Sequence, residues 1–323
     1  MRIVFFGTPD FAVPSLDALA DAGHDLACVV SQPDRPSGRR RRLTAPPVKE
    51  RALALGLPLR QTADVNDARF VDALAALAPE VMVVAAFGQK FGPRLLRLAP
   101  HGCLNVHASL LPRHRGAAPV AHAILADDRQ TGVTILRMAE GMDTGDVLAQ
   151  AATPIGPRET AGELGRRLAR LGARLLVATL DRLAAGRVSP TPQDHGAATL
   201  APSLRKKDGE IDWSRPADAL DRFVRAMSPW PGAFTFWHRP DAAPLRIVVH
   251  EAEPLEGAAN QPGRVAEAQD ETLAVETGEG LLAIRRLQPA GKRPMAAADF
   301  LRGHPMQPGQ RLGGKERAGE KRA

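Results

Sequence analysis

Over roughly the first 185 residues, short apolar runs alternate with amphipathic stretches, the two periodicities of strands and helices. Residues 2–6 read as a short strand stopped by Gly7, and residues 13–22 as a helix stopped by Gly23. Asp25–Ser31 reads as a second strand, while residues 47–55, 66–78 and 117–126 carry helical periodicity. Residues 81–87 are apolar almost throughout, as expected of a strand buried on both faces of a parallel sheet. The run around Leu104 and Val106 and residues 133–138 read as further strands. Thr160-Ala161-Gly162-Glu163 has the form of a capping box. It opens a long helix with Leu164, Leu168, Leu171, Leu175 and Leu176 on one stripe, and Gly186 follows its end. This rhythm predicts an α/β fold with an open, doubly wound and mostly parallel sheet.

The character changes after residue 188. Residues 189–208 are rich in Pro and polar side chains and read as a linker. Ala217–Ala226 reads as a short helix, and after Trp230-Pro231-Gly232 come β-like runs at 233–237, 245–251, 263–266, 272–277 and 281–287. Short strands at even spacing predict a small barrel. The expected segmentation is a catalytic domain over 1–188, a linker over 189–208, a barrel domain over 209–312 and a disordered tail over 313–323.

A chain of 323 residues with 44% hydrophobic and 24% charged residues is an ordinary globular chain. Tyrosine is absent and aromatics make up only 4%, so Ala, Leu and Val carry the core. No apolar run reaches membrane-spanning length, and residues 2–6 lead straight into Gly7-Thr8-Pro9-Asp10 without the pattern of a leader. A cytoplasmic location and no membrane partner are expected. Cys28 and Cys103 fall in strand-like runs and read as buried free thiols in a reducing compartment. No Cys-x-x-Cys or Cys/His cluster exists, so no metal is expected.

The net charge of +7 favours an anionic partner, and the basic residues are clustered. Arg35, Arg39, Arg40, Arg41 and Arg42 lie in one short stretch, with no acid between Arg35 and Lys49. Between Arg285 and Arg322 ten Lys or Arg face three acids, and Lys206 and Lys207 sit near the domain junction. Solvated surface charge explains any one of these; contact with nucleic-acid phosphates explains the clustering.

The candidate chemistry lies in Asn105-Val106-His107 and Asp143. Side chains two apart on a strand share a face, so Asn105 and His107 point the same way. A carboxamide and an imidazole at a strand end can receive an oxyanion and move a proton. Asp143 sits in Gly141-Met142-Asp143-Thr144-Gly145-Asp146, a loop by its glycines. From there a carboxylate can orient His107 and favour its charged form. Asp146 is open between a capping role and a site role. His101, His114 and His122 read as surface or turn residues. Gly7-Thr8-Pro9-Asp10 lacks the further glycines of a dinucleotide fingerprint, and no Walker A lysine motif is present.

At these residues the chain resembles the methionyl-tRNA formyltransferase family. The resemblance is carried by Gly7-Thr8-Pro9-Asp10-Phe11, Gln32-Pro33-Asp34-Arg35-Pro36 and Asn105-Val106-His107-Ala108-Ser109-Leu110-Leu111-Pro112. Arg115-Gly116-Ala117-Ala118-Pro119, Asp143-Thr144-Gly145-Asp146, Ile211-Asp212-Trp213 and Ser228-Pro229-Trp230-Pro231-Gly232-Ala233 extend it to about Gly313. The resemblance implies a Rossmann-like formyltransferase domain followed by an OB-like β-barrel, acting as a monomer. It implies formyl transfer from 10-formyltetrahydrofolate to the α-amine of methionyl initiator tRNA, without a metal. Asn105 and His107 would donate to the oxyanion, and His107 with Asp143 would move the proton. Ser109, Leu110, Leu111 and Pro112 would lie in the folate site, with Phe87 and Gly88 lining its pterin pocket. The arginine loop would meet the acceptor stem, aided by Lys206 and Lys207. The chain departs from the family at Arg40, where Gly is frequent, at Phe87, where Tyr is common, and at His114, where Trp is frequent.

A formyltransferase acting on a nucleotide-linked amino sugar would share Asn105, His107 and Asp143 but not need five loop arginines. A purine-pathway enzyme would lack the second domain. A non-catalytic RNA-binding protein on the same scaffold would have no chemical reason to keep all three polar residues.

Overall fold

The computed structural model describes residues 1–37, 42–239, 242–269 and 272–314. The chain forms two compact units, the first built from Met1–Val120, Arg129–Ile155 and Glu163–Ser203. In order its elements are β1 (Arg2–Gly7), α1 (Val13–Asp21), β2 (Asp25–Ser31), β3 (Arg35–Ser37), β4 (Arg42–Thr44), α2 (Pro47–Ala54), β5 (Leu59–Gln61) and α3 (Ala68–Ala75). They continue with β6 (Val81–Ala85), α4 (Pro93–Leu96), β7 (Cys103–His107), β8 (Arg115–Gly116), α5 (Pro119–Leu125), β9 (Gln130–Arg137), β10 (Val147–Pro154), α6 (Ala161–Ala184) and β11 (Leu200–Ala201).

The main sheet runs β10-β9-β7-β6-β1-β2-β5. The strands from β7 to β5 are mutually parallel, and β9 and β10 are antiparallel additions. β6 is buried at every position, which matches its unbroken apolar run. β10 escapes the sequence pattern because it is an edge strand of small residues with every second position partly exposed. One face of the sheet carries Val4, Phe6, Val30, Met82, Val84 and Cys103, packed with Leu74, Phe87, Phe91 and Leu95.

On α6 the fully buried stripe runs Leu164, Leu168, Gly172, Leu176 and Leu180. Leu171 and Leu175, which the sequence placed on the stripe, are half-buried at its margin. Gly172 is the reason the helix comes so close: a Cβ there would lie 2.7 Å from Val106 Cγ1 and 3.2 Å from Val133 Cγ1. The helix therefore presses on the strand that carries Asn105 and His107.

The second unit takes Ala121–Asp128, Gly156–Gly162 and the chain from Leu204 on. It contains α7 (Ala217–Ala226), β12 (Ala233–His238), β13 (Leu245–Leu255), β14 (Val265–Gln269), β15 (Thr272–Glu276), β16 (Leu281–Pro289), β17 (Met295–Ala296), α8 (Ala297–Gly303) and β18 (Arg311–Gly313). The antiparallel order is β14-β15-β16-β13-β12-β18, with β17 beside β16. β13 continues past the expected end near Glu251 because register shifts around that residue break its alternation.

β18 closes this sheet on itself. It pairs with β12, and on its other side Leu312 N donates to Gly263 O at 2.7 Å and Val265 N to Gln310 O at 2.8 Å. Gly263 is required there, with φ +84° and no room for a Cβ beside the Leu312 carbonyl. Trp213 is buried under the seam, where its Nε1 donates to Thr235 Oγ1 at 3.0 Å and Thr235 donates on to Gly313 O at 3.1 Å. Gly313 thus belongs to a strand rather than to the expected tail; residues 315–323 lie outside the described residues.

Candidate active site

β7 delivers Asn105 and His107 to the carboxyl edge of the parallel strands, where open α/β sheets bind ligands. Its register is fixed on both sides: Asn105 lies opposite Val84 of β6 and Leu136 of β9, and His107 opposite Thr134. Asp143 arrives from the loop between β9 and β10 with φ +52°, a left-handed conformation that Asp tolerates better than most residues. Gly145 makes the loop possible, since a Cβ there would collide with the Arg137 carbonyl. Asp146 leads into β10, its carbonyl accepting from Arg137 N at 2.9 Å.

The three side chains converge. Asp143 Oδ2 accepts from Gly116 N at 2.8 Å and lies 3.6 Å from His107 Nδ1. Asn105 Nδ2 donates to Asp143 Oδ1 across 3.4 Å. His107 is 5% exposed, and its Nε2 lies 3.0 Å from the His114 carbonyl oxygen. A carbonyl only accepts, so the neutral ring carries its proton on Nε2 and its lone pair on Nδ1.

Burial pushes the His107 pKa below its usual value, while the Asp143 carboxylate and the His114 carbonyl pull upward and are outweighed. Asp143 does favour the charged ring, as the sequence suggests, but burial opposes it and is the larger effect. Desolvation of a nearly enclosed imidazole exceeds the attraction of a carboxylate 3.6 Å away, and the resting ring is neutral.

Residues 189–203 do not form a free linker. Thr191 exchanges backbone hydrogen bonds with Val147 at 2.9 Å, and β11 pairs with β8. Thr199 Oγ1 accepts from His114 N at 2.8 Å. Gln193 Nε2 donates to the carbonyls of Asp143 at 2.8 Å and Gly145 at 2.6 Å, while its Oε1 accepts from Arg115. Most of the segment is exposed, as its polar composition suggests, but Gln193 is buried and bonded to the Asp143 loop. His114, read from sequence as a surface or turn residue, is buried in a turn with φ +58°.

The candidate folate residues form two braced turns at the same sheet edge. Ser109 Oγ donates to Arg113 O at 2.6 Å, and Thr134 Oγ1 donates to Ser109 O at 2.7 Å. Leu111 N donates to Thr134 Oγ1 at 3.1 Å, and Gln150 Nε2 reaches Leu111 O at 2.8 Å. Leu110 lies over Gly132 of β9, and Pro112 is half-buried. The Phe87 ring is in the core against Phe6 and Phe91, with centroids 5.4 and 6.0 Å away. Its carbonyl accepts from Gln32 Nε2 at 2.8 Å, and Gly88 follows with φ +84°. The Phe87 carbonyl also accepts from Thr8 Oγ1 at 3.1 Å, so the Phe87 side chain faces the core and its carbonyl is held by two neighbours.

Among the basic candidates, Arg35 and Arg42 are exposed on the β3–β4 hairpin, and Arg35 hydrogen-bonds Gln32. Arg39, Arg40 and Arg41 lie outside the described residues. Lys206 and Lys207 are exposed on a turn of the second unit. Sequence reasoning missed the Gly116 N–H, the His114 carbonyl, Gln193, Arg115 and Thr134. Backbone groups leave no side-chain signature, and the side chains among them act through contacts distant in sequence.

The formyl transferase family model matches residues 1–180, and the formyl transferase C-terminal domain model matches residues 203–305. The methionyl-tRNA formyltransferase of Moorella thermoacetica is 46% identical over 314 residues, 97% of this chain and 99% of the relative. That of Chloroflexus aurantiacus is 48% identical over 304 residues, 94% of this chain and 97% of the relative. Among solved structures, WlaRD, a sugar 3N-formyl transferase crystallised in the presence of dTDP and 5-N-formyl-THF, superposes with a TM-score of 0.64 at 15% identity, over 91% of this chain and 99% of that one. HypX from Aquifex aeolicus in complex with tetrahydrofolic acid superposes with a TM-score of 0.60 at 20% identity, over 93% of this chain and 47% of that one. At such identities the structures share the fold alone. Sequence identity over nearly the whole length, with both domain models matched, assigns the chain to the methionyl-tRNA formyltransferase family.

Proposed function

We propose that the chain transfers the formyl group of 10-formyltetrahydrofolate to the α-amine of methionine on initiator tRNA, with Asn105, His107 and Asp143 as the catalytic residues. The observation that carries this is the convergence of a neutral, buried imidazole, a carboxamide and a carboxylate at one strand end, with His107 Nδ1 3.6 Å from Asp143 Oδ2.

His107 enters neutral, with Nδ1 as the base. The amine nitrogen forms a bond to the formyl carbon, and the carbonyl π pair moves onto the formyl oxygen. Asn105 Nδ2, held to Asp143 only by a 3.4 Å contact, turns to donate to that oxyanion. One such donor is typically worth about 10²–10³ in rate. Nδ1 takes the proton of the attacking nitrogen, and the imidazolium so formed is stabilised by the Asp143 carboxylate. His107 can donate to the oxyanion only in this protonated state, because Nε2–H is committed to the His114 carbonyl. The proton then passes to folate N10 as the carbon–N10 bond breaks and the formyl carbonyl re-forms. The ring ends neutral, and no step draws on a metal ion.

In this scheme the Ser109–Pro112 turn and the Phe87-Gly88 backbone line the folate site. Arg35, Arg39, Arg40, Arg41 and Arg42, with Lys206 and Lys207, neutralise tRNA phosphates. The enzyme acts as a cytoplasmic monomer.

The test is a transfer assay with purified protein, 10-formyltetrahydrofolate and methionine-charged initiator tRNA, with uncharged tRNA and a nucleotide-linked amino sugar as control acceptors. Formylmethionine on the charged tRNA alone is the expected product. Product on the sugar with none on the tRNA would keep the chemistry and overturn the acceptor.

A further inference from the structure

Asp143 does its work from a backbone conformation with φ +52°, in a loop closed by a glycine that no other residue can replace without a clash. A loop of this kind needs its carbonyls anchored to stay in one arrangement. The anchor comes from a segment fifty residues away in sequence. Gln193 is 8% exposed, and its single carboxamide nitrogen bridges the carbonyls of Asp143 and Gly145, at 2.8 and 2.6 Å. Its carboxamide oxygen is held in turn by Arg115, through Nε at 3.1 Å and Nη2 at 2.7 Å. Arg115 Nη2 also lies 2.9 Å from His195 Nδ1. Gly116, the residue after Arg115, supplies the N–H that Asp143 Oδ2 accepts. One carboxamide therefore joins the strand that holds the carboxylate to the loop that presents it.

We propose that Gln193 is a positioning residue for formyl transfer: its two N–H donors fix the Asp143 loop so that the carboxylate faces His107 Nδ1. This rests on the assignment of Asn105, His107 and Asp143 to the reaction. Gln193 touches no reacting atom; it acts by keeping Asp143 within reach of the imidazolium.

Gln193→Glu is the decisive substitution. It keeps the side-chain length and the acceptor for Arg115 and removes both donors to the loop carbonyls. Gln193→Ala removes both ends. In the full-length protein, kcat for formylation of methionyl-tRNA is expected to fall on the order of 10²-fold in both variants. KM for folate and tRNA should stay within about twofold of wild type, the pattern of an interaction felt only in the transition state. The melting temperature of Gln193→Glu should fall, because a carboxylate oxygen then faces two carbonyls that have lost their donor, but the protein should stay folded at the assay temperature. A Gln193→Glu protein with wild-type kcat overturns the proposal, since the donors would be dispensable. A fall in kcat matched by a rise in KM, or by loss of folding in both variants, overturns it in favour of a purely structural role. Wild type and His107→Ala are assayed alongside. A kcat for His107→Ala at least about 10²-fold below wild type leaves the catalytic assignment standing whichever way Gln193 falls; equal transfer by both removes that assignment and this proposal with it.

Discussion

His107 and His114 are joined by a hydrogen bond from the Nε2 of one to the main-chain carbonyl of the other, at 3.0 Å, and this contact leaves Nδ1 as the ring nitrogen with a free lone pair. His114 is itself held from behind, its N–H donating to Thr199 Oγ1 at 2.8 Å. The neutral imidazole is thus oriented through its Nε2–H by the His114 carbonyl, and the Asp143 carboxylate 3.6 Å from Nδ1 engages that nitrogen only when it carries a proton.

His107→Ala should lower kcat by about 10²–10⁴, the usual contribution of a positioned acid–base group. The cavity it leaves lies at a strand end, and the fold should survive. Asp143→Asn keeps shape and removes charge, so it should cost less than His107→Ala while leaving folate affinity unchanged. Single-turnover rates with saturating folate, together with folate binding by fluorescence quenching, check both.

The pH profile follows from burial. Because the His107 pKa lies below its usual 6.5, kcat/KM should stay level as pH falls through the ordinary imidazole range and drop only beneath it. Asp143→Asn removes the charge that opposes burial, so the acid limb of its residual activity should move lower still. Stability has the same sign. Above 6.5 the ring is neutral folded and unfolded; between 6.5 and the lowered value only the unfolded chain takes up the proton, and stability declines as pH falls across that window. Initial rates and urea midpoints measured over the same buffers test both statements.

Gly172→Ala puts two terms in opposition. Replacing a mid-helix glycine gains up to about 1 kcal/mol in helix propensity. A Cβ 2.7 Å from Val106 Cγ1 overpacks the core at a cost of about 1–3 kcal/mol. The net expectation is a modest loss of melting temperature. Activity should suffer more, because Val106 stands between Asn105 and His107 and any displacement of β7 moves both. Calorimetry and kcat on one preparation separate the two effects.

Reversing charge in the basic loop, with Arg39→Glu and Arg41→Glu, should raise KM for tRNA and leave folate binding alone. Each lost phosphate contact should also flatten the dependence of tRNA affinity on salt by about one unit of slope. Filter binding across a salt series measures it; weakened folate binding with normal tRNA use would mean the roles of the two regions are assigned the wrong way round.

Thr235→Val in the second unit removes the acceptor of the buried Trp213 Nε1–H. An orphaned buried donor costs about 1–3 kcal/mol. The loss should appear as an earlier unfolding transition detected by Trp fluorescence, with kcat on saturating tRNA unchanged at low temperature.

How much of this was legible in the sequence depended on the kind of contact. The strands with unbroken apolar runs, such as β6, and the leucine-striped α6 announced themselves. So did Asn105 and His107, because two polar residues sharing one face of a buried strand are conspicuous. β10 stayed hidden because an edge strand that mixes three alanines with Gln150, Thr153 and Pro154 has neither a full apolar run nor strong β propensity. The pull of Asp143 on His107 could be guessed from residue types, whereas the burial that outweighs it is set by the whole sheet edge. Gln193 was invisible for a simpler reason: its neighbours are prolines and polar residues, and its partners lie 48 to 78 positions away.

The seam at β18 bears on synthesis. A strand that meets β12 on one side and residues 263–265 on the other leaves both partners with unpaired backbone edges until it is in place. The barrel can close only after Gly313 has been made and is free to pair. The sheet that carries Asn105 and His107 has every strand it needs much earlier in translation. The nascent chain therefore passes through an interval with its mostly parallel sheet complete and its second sheet still open-edged, the state most exposed to pairing with a misplaced strand.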